Sequence, residues 1–154
     1  MAAKAGNIYI GIGGWTFAPW HGVIYPAPQT PATAQTVYRI GSITKQFTSS
    51  AVMQLVQDGK VKLDDSIGTY LPTLPTSWQV VTVRELLNHT SGVPSYTDIG
   101  ARWTKRWGEE MTPDSIIALT AHDTLWFKPG TSWRYDNGGY IVLGMLIEKV
   151  TGRP

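Results

Sequence analysis

The chain has 154 residues, 42% of them hydrophobic and 16% charged, with a formal net charge of +2 and no cysteine. That composition suits one modest domain with a core and excludes a disordered chain. Scattered Lys and Arg leave no electrostatic footprint for nucleic acid, absent Cys rules out disulfides, thiolate metal sites and a cysteine nucleophile, and no apolar run approaches a membrane span.

In chain order, Met1 to Asn7 has no apolar h-region, so the chain as written reads as cytoplasmic. Ile8-Tyr9-Ile10-Gly11-Ile12 reads as a short buried strand, followed by an aromatic loop through Trp15, Phe17, Trp20 and Tyr25 to Pro26. Gly11, Gly13 and Gly14 do not complete a G-x-G-x-x-G phosphate cradle, because Thr16 stands at the third Gly position; neither cofactor nor metal is expected. Residues 8–26 resemble the first strand and loop of a TIM-barrel family of unassigned function, without the seven further strand-helix units a barrel needs. Residues 27–36, rich in Pro, Ala and Thr, read as a linker or fusion seam.

From Val37 the pattern becomes regular. Tyr38-Arg39-Ile40-Gly41 reads as an extended lead-in, and Ser42 as the N-cap or first-turn residue of a helix ended by Asp58-Gly59. Ile43, Phe47, Ala51 and Leu55, with Val52 and Val56, give that helix a wide apolar face. Ser42 and Lys45 stand three residues apart and so share a helix face. A serine hydroxyl is a poor nucleophile until a neighbour takes its proton, and a lysine amine does so only where burial or nearby positive charge favours its neutral form. Taken alone, S-x-x-K reads more readily as a helix-opening serine and a solvated lysine, since two common residues at one spacing recur by chance.

Further on, Asp64-Asp65 is expected to cap a short helix over Ser66 to Tyr70, and Thr82 to cap Val83 to Leu87. His89, in the turn Asn88 to Gly92, reads either as a general base or as a residue holding backbone. Trp103, Arg106 and Trp107 read as an aromatic, basic loop that packs or rims a pocket. Thr112-Pro113-Asp114 is a strong helix start for Ile116 to Ala121, Lys128 to Thr131 is a turn, and Asn137 to Val150 form the last helix. Its Tyr140, Leu143, Ile147 and Val150 fall on one face. Ahead of it, Tyr135 and Asn137 lie two residues apart on an extended segment and point the same way. Tyr135 could exchange a proton once an ammonium lowered its pKa, and Asn137 could orient Lys45 or a substrate amide; the alternative is a buried Tyr and an Asn helix cap.

Four blocks in order, Tyr38 to Thr48, Leu86 to Gly92, Lys128 to Thr131 and Tyr135 to Gly144, resemble the serine beta-lactamase superfamily on the class C, D-alanyl-D-alanine carboxypeptidase and esterase branch. The resemblance covers about residues 37–154. It implies Ser42 as the acylating nucleophile, Lys45 as its activating partner, Tyr135 as proton shuttle and Asn137 in support, with the Ser42 N–H contributing to an oxyanion hole. Tyr135-x-Asn137 in place of S-D-N favours the class C side. The third family motif, K-T-G or a His-x-Gly variant, is not found, and the barrel-like segment stands where two sheet strands are expected. The expected fold is therefore a mostly α fragment of the α/β beta-lactamase/transpeptidase-like fold, a helical subdomain with most of the antiparallel sheet missing, from a truncated or chimeric reading frame. Two functions follow: a serine hydrolase acting through an acyl-serine on a small-molecule beta-lactam, D-Ala-D-Ala peptide or ester, or an inactive fragment that only binds or needs a partner chain. Relatives of this kind are often exported.

Overall fold

The computed structural model describes residues 40–106 and 108–153, which belong to the second of two compact units, Ile40–Pro154. The expectations for residues 8–26, the 27–36 seam, the Tyr38-Arg39 lead-in and Trp107 lie outside the described residues.

Ser42 does not cap an α-helix. It sits in a 3-10 turn, Gly41–Ile43, and helix α1 runs from Thr44 to Gln57. Ser42 and Lys45 nevertheless share a side, since both meet Tyr135, Ser42 through its hydroxyl and Lys45 over its ring. The C-terminal half of α1 behaves as its pattern predicts: Val52 and Leu55 are buried, and the chain turns away at Asp58 and Gly59, whose N–H groups return to Gln54 and Val56. The N-terminal half does not. Ile43 is 50% exposed and Phe47 66%.

The two aspartates ahead of Ile67 do other work than capping. The 3-10 turn Ile67–Thr69 has no side-chain cap; Asp65 accepts from the Tyr70 hydroxyl (2.5 Å) and Asp64 pairs with Arg84 (2.7 Å). The Ile67 N–H donates to Val81 O (2.7 Å), and an isolated antiparallel bridge joins Ser66 to Thr82. No strand occurs among the described residues. Helix α2, Val83–Leu87, starts on a complete capping box: Thr82 Oγ1 accepts from Glu85 N (3.2 Å) and Glu85 Oε2 from Thr82 N (2.8 Å).

After α2 the chain threads a tight loop. Gly92 has φ +75°, and a Cβ there would collide with Phe127 O, so only glycine lets Trp126 N reach Gly92 O (2.7 Å). Trp103, expected in a loop, lies in the short helix α3, Ala101–Thr104, edge-on to Tyr96 at 4.7 Å between ring centroids; its reading as a packing residue fits. Helix α4, Pro113–Ala118, has the expected Thr112 cap and first-position Pro but ends short of Ala121.

Helix α5, Gly138–Thr151, is the hub, in contact with α1, α2 and α4. Its deepest stripe is Gly139, Val142, Leu143 and Leu146, rotated from the expected face; Tyr140, Ile147 and Val150 are only partly buried. The small Gly138 and Gly139 cause the rotation by letting the helix start press into the core beside Leu86 and Val93. No described helix is long and apolar enough to cross a membrane.

Candidate active site

The contact of α1 with α5 brings all four sequence-predicted site residues together. The Tyr135 hydroxyl donates to Ser42 Oγ at 2.6 Å, and Lys45 Nζ donates to Asn137 Oδ1 at 2.6 Å. Lys45 Nζ also lies over two rings, 4.8 Å from the Tyr135 centroid and 5.3 Å from that of Tyr140. The pairing thus crosses over. The serine meets the phenol and the lysine meets the amide, and no hydrogen bond joins Ser42 to Lys45 directly.

Alternation along the extended segment explains how residues 135–137 divide their work. Tyr135 and Asn137 point to the cleft, while Asp136 points into the core, where it is 3% exposed. Its Oδ2 accepts from Gly139 N (2.8 Å), so the helix start is capped by Asp136 and not by Asn137, whose side chain makes no cap bond. A Cβ at Gly139 would lie 2.5 Å from Asp136 Oδ2, so the two glycines form the cradle that admits this carboxyl. Oδ1 has no hydrogen-bond partner. Burial pushes the Asp136 carboxyl up to about 7, against the pull of the Gly139 and Gly138 N–H groups and of Lys45.

His89 is a scaffold for this segment. It has φ +63°, its Nδ1 accepts the Asp136 N–H (3.2 Å), and its carbonyl accepts the Arg134 N–H (3.0 Å). Its ring packs 4.7 Å from the Tyr135 ring and 5.2 Å from that of Tyr140. Burial, and then the Lys45 charge, hold the imidazole below its ordinary value, so it is neutral with its proton on Nε2. This agrees with the backbone-holding reading. Tyr140 is tied down in turn: its hydroxyl donates to Leu87 O (3.0 Å) and lies 3.0 Å from Ser49 Oγ.

Partial burial alone would raise the Tyr135 phenol, but the Lys45 ammonium and the Ser42 hydroxyl outweigh it and leave the phenol below its ordinary value. A half-exposed cleft therefore holds a serine hydroxyl in contact with a phenol of lowered pKa, with the Lys45 amine over the phenol's ring. Such an arrangement can move a proton off Ser42 and later return one to a leaving group. No described group of acidic and His residues has the arrangement of a metal site. Sequence reasoning passed over Asp136, Ser95 and Thr97. An acidic residue three positions before a helix residue whose N–H needs a partner, as Asp136 is to Gly139, is a cap signal that could have found the first; Ser95 and Thr97 carry no local signal.

Comparison with known proteins gives the family. The Beta-lactamase family model matches residues 8–154. Penicillin-binding protein 4* of Bacillus subtilis (strain 168) is 32% identical over 125 residues, which are 79% of this chain and 27% of that protein. Among solved structures, a D-stereospecific amidohydrolase from Streptomyces sp. superposes with a TM-score of 0.67 at 39% identity, over 76% of this chain and 38% of that one. The D-amino acid amidase from Ochrobactrum anthropi SV3 gives 0.70 at 34% identity, over 80% and 37%. The chain thus spans about a quarter to two fifths of the length of these relatives. They share the beta-lactamase/transpeptidase-like fold, and with the family model spanning nearly the whole sequence, the chain belongs to the Beta-lactamase family.

Proposed function

We propose that this chain carries the acylation machinery of a serine hydrolase. The observation that carries the reading is the 2.6 Å hydrogen bond between Tyr135 Oη and Ser42 Oγ, beside a lysine held by Asn137. Ser42 Oγ attacks the carbonyl carbon of a beta-lactam, a D-Ala-D-Ala peptide, a D-amino acid amide or a small ester. Its proton passes to the Tyr135–Lys45 pair as the C–O bond to Ser42 forms. The carbon–nitrogen or carbon–oxygen bond then breaks, and Tyr135 returns the proton to the leaving group. Water, deprotonated by the same pair, releases the acyl group and regenerates Ser42. The Ser42 N–H, ahead of the first turn of α1, stabilises the developing oxyanion.

Two names among the relatives, a penicillin-binding protein and D-amino acid amidases, favour an acyl donor whose leaving group is nitrogen. The test is the rate of labelling by a fluorophosphonate and by a fluorescent penicillin in the native chain, in Ser42→Ala and in Tyr135→Phe. Labelling that disappears in the first variant and slows by about a hundredfold or more in the second supports the reading. Labelling unchanged by Ser42→Ala contradicts it.

A second reading, an inactive fragment that needs a partner chain to supply the sheet, is favoured by one observation: Ile40, Ile43 and Phe47, on either side of Ser42, are all exposed. On either reading residues 37–154 are the part that acts, with 1–26 a separate short segment and 27–36 the seam. Deleting residues 1–36 without loss of labelling supports that division; lost labelling in a folded chain contradicts it.

A further inference from the structure

We propose that Thr97 is a positioning residue that fixes which end of the Asn137 amide faces Lys45. Its kinetic consequence rests on the serine-hydrolase reading; its geometry does not. The amide of Asn137 has an accepting end and a donating end of nearly the same shape, and only one orientation serves Lys45. Oδ1 accepts from Lys45 Nζ at 2.6 Å, while Nδ2 donates to Thr97 Oγ1 at 3.0 Å.

The hydroxyl of Thr97 has one proton and two lone pairs to share among three neighbours. Asp98 Oδ1, at 3.2 Å, can only accept, so the Thr97 proton goes there. Ser95 Oγ, at 2.9 Å, accepts the backbone N–H of Asn137 (3.1 Å) and is free to give its own proton to Thr97. Both Thr97 lone pairs then receive donors, Ser95 and the Asn137 amide, and every group is satisfied in one direction only. Were the amide reversed, its NH2 would meet the Lys45 ammonium, two donors face to face. Its oxygen would meet a hydroxyl whose proton is already committed to Asp98. Asp98 is itself anchored by Arg134 (3.2 Å), whose guanidinium lies 3.6 Å from the centre of the Trp126 ring. The orientation of an amide in the cleft is thereby set from a 3-10 turn, Tyr96–Asp98.

The test compares the native chain with Thr97→Val, which removes the hydroxyl at nearly constant shape, and Thr97→Ser, which restores it. Thr97→Ala gives a second route to the same loss. Two readouts are taken: the Asn137 side-chain NH2 resonances in 15N-labelled protein, and the second-order rate of acylation by a fluorophosphonate. In Thr97→Val the NH2 pair should broaden or exchange faster and acylation should slow by about tenfold, the worth of roughly one hydrogen bond, with Thr97→Ser recovering both. Native NH2 resonances in Thr97→Val and Thr97→Ala, or a Thr97→Ser chain as slow as Thr97→Val, would overturn the proposal. A native chain that does not acylate refutes the serine-hydrolase reading, while the NH2 resonances still decide the role of Thr97.

Discussion

The two sides of the cleft are built differently. Tyr135 and Asn137 stand on a segment clamped from behind by a buried Asp136, the His89 ring and the Ser95 hydroxyl, at the start of the most buried helix. Ser42 stands on a 3-10 turn whose neighbours Ile43 and Phe47 face solvent. The Tyr135–Asn137 side is organised by this unit's own core. The Ser42 side is tied to it by α1, packed against α5, and by the hydrogen bonds across the cleft. The same contrast runs along α1 itself, which is unpacked at Phe47 and tightly packed at Leu55.

The largest effect should come from breaking the link across the cleft. Lys45→Arg keeps the charge and the helix but cannot give up a proton, so acylation should fall by at least a hundredfold while circular dichroism is unchanged; near-native acylation would remove Lys45 from the proton path. Next is the clamp. The Asp136 carboxyl sits at about 7 when folded against 3.8 as its ordinary value. Between those values the folded chain keeps a proton that the unfolded chain releases. Stability from this group is therefore full below about pH 4 and is lost as pH rises through 7, by an amount on the order of 4 kcal/mol. Urea unfolding at pH 5 and pH 8 should show about 3 kcal/mol of that decline in the native chain and a much flatter response in Asp136→Asn. Equal slopes in the two proteins would mean that the carboxyl is not buried as described.

The contrast along α1 gives two smaller effects. Leu55→Ala should cost about 2–5 kcal/mol in the same assay, as large-to-small core changes do. Phe47→Ala should change stability by no more than about 0.5 kcal/mol, as for a surface position. A Phe47 loss comparable to that of Leu55 would show that the first turns of α1 are covered after all.

What the sequence made legible was mostly local. The caps at Thr82 and Thr112 depend on a hydroxyl reaching an N–H within three residues, so their residue types suffice. The i, i+3 spacing of Ser42 and Lys45 and the i, i+2 spacing of Tyr135 and Asn137 correctly put each pair on one face. That Asn137 could hold Lys45 was among the expectations; that Tyr135 and not Lys45 meets Ser42 Oγ was not legible, because it depends on how α1 seats against α5. The apolar run Ile43, Phe47 and Leu55 announced a face but not what covers it, and half of it faces solvent. On α5 the stripe shifted because two glycines let the helix start sink beside a carboxyl, and no periodicity rule registers where a missing side chain makes room. Asp64 and Asp65 read as caps and instead meet Arg84 and Tyr70, partners too distant in sequence or type for a local rule to weigh.

The central claim is that Ser42 is a nucleophile made competent by Tyr135 and Lys45. It is tested most directly by intact-mass analysis of the chain after incubation with a fluorophosphonate and, separately, a penicillin, followed by tryptic mapping. Trypsin should release Ile40-Gly41-Ser42-Ile43-Thr44-Lys45 as one peptide. A single adduct on that peptide, absent in Ser42→Ala, is the predicted result. A folded chain that carries no adduct, or carries it elsewhere, would contradict the account.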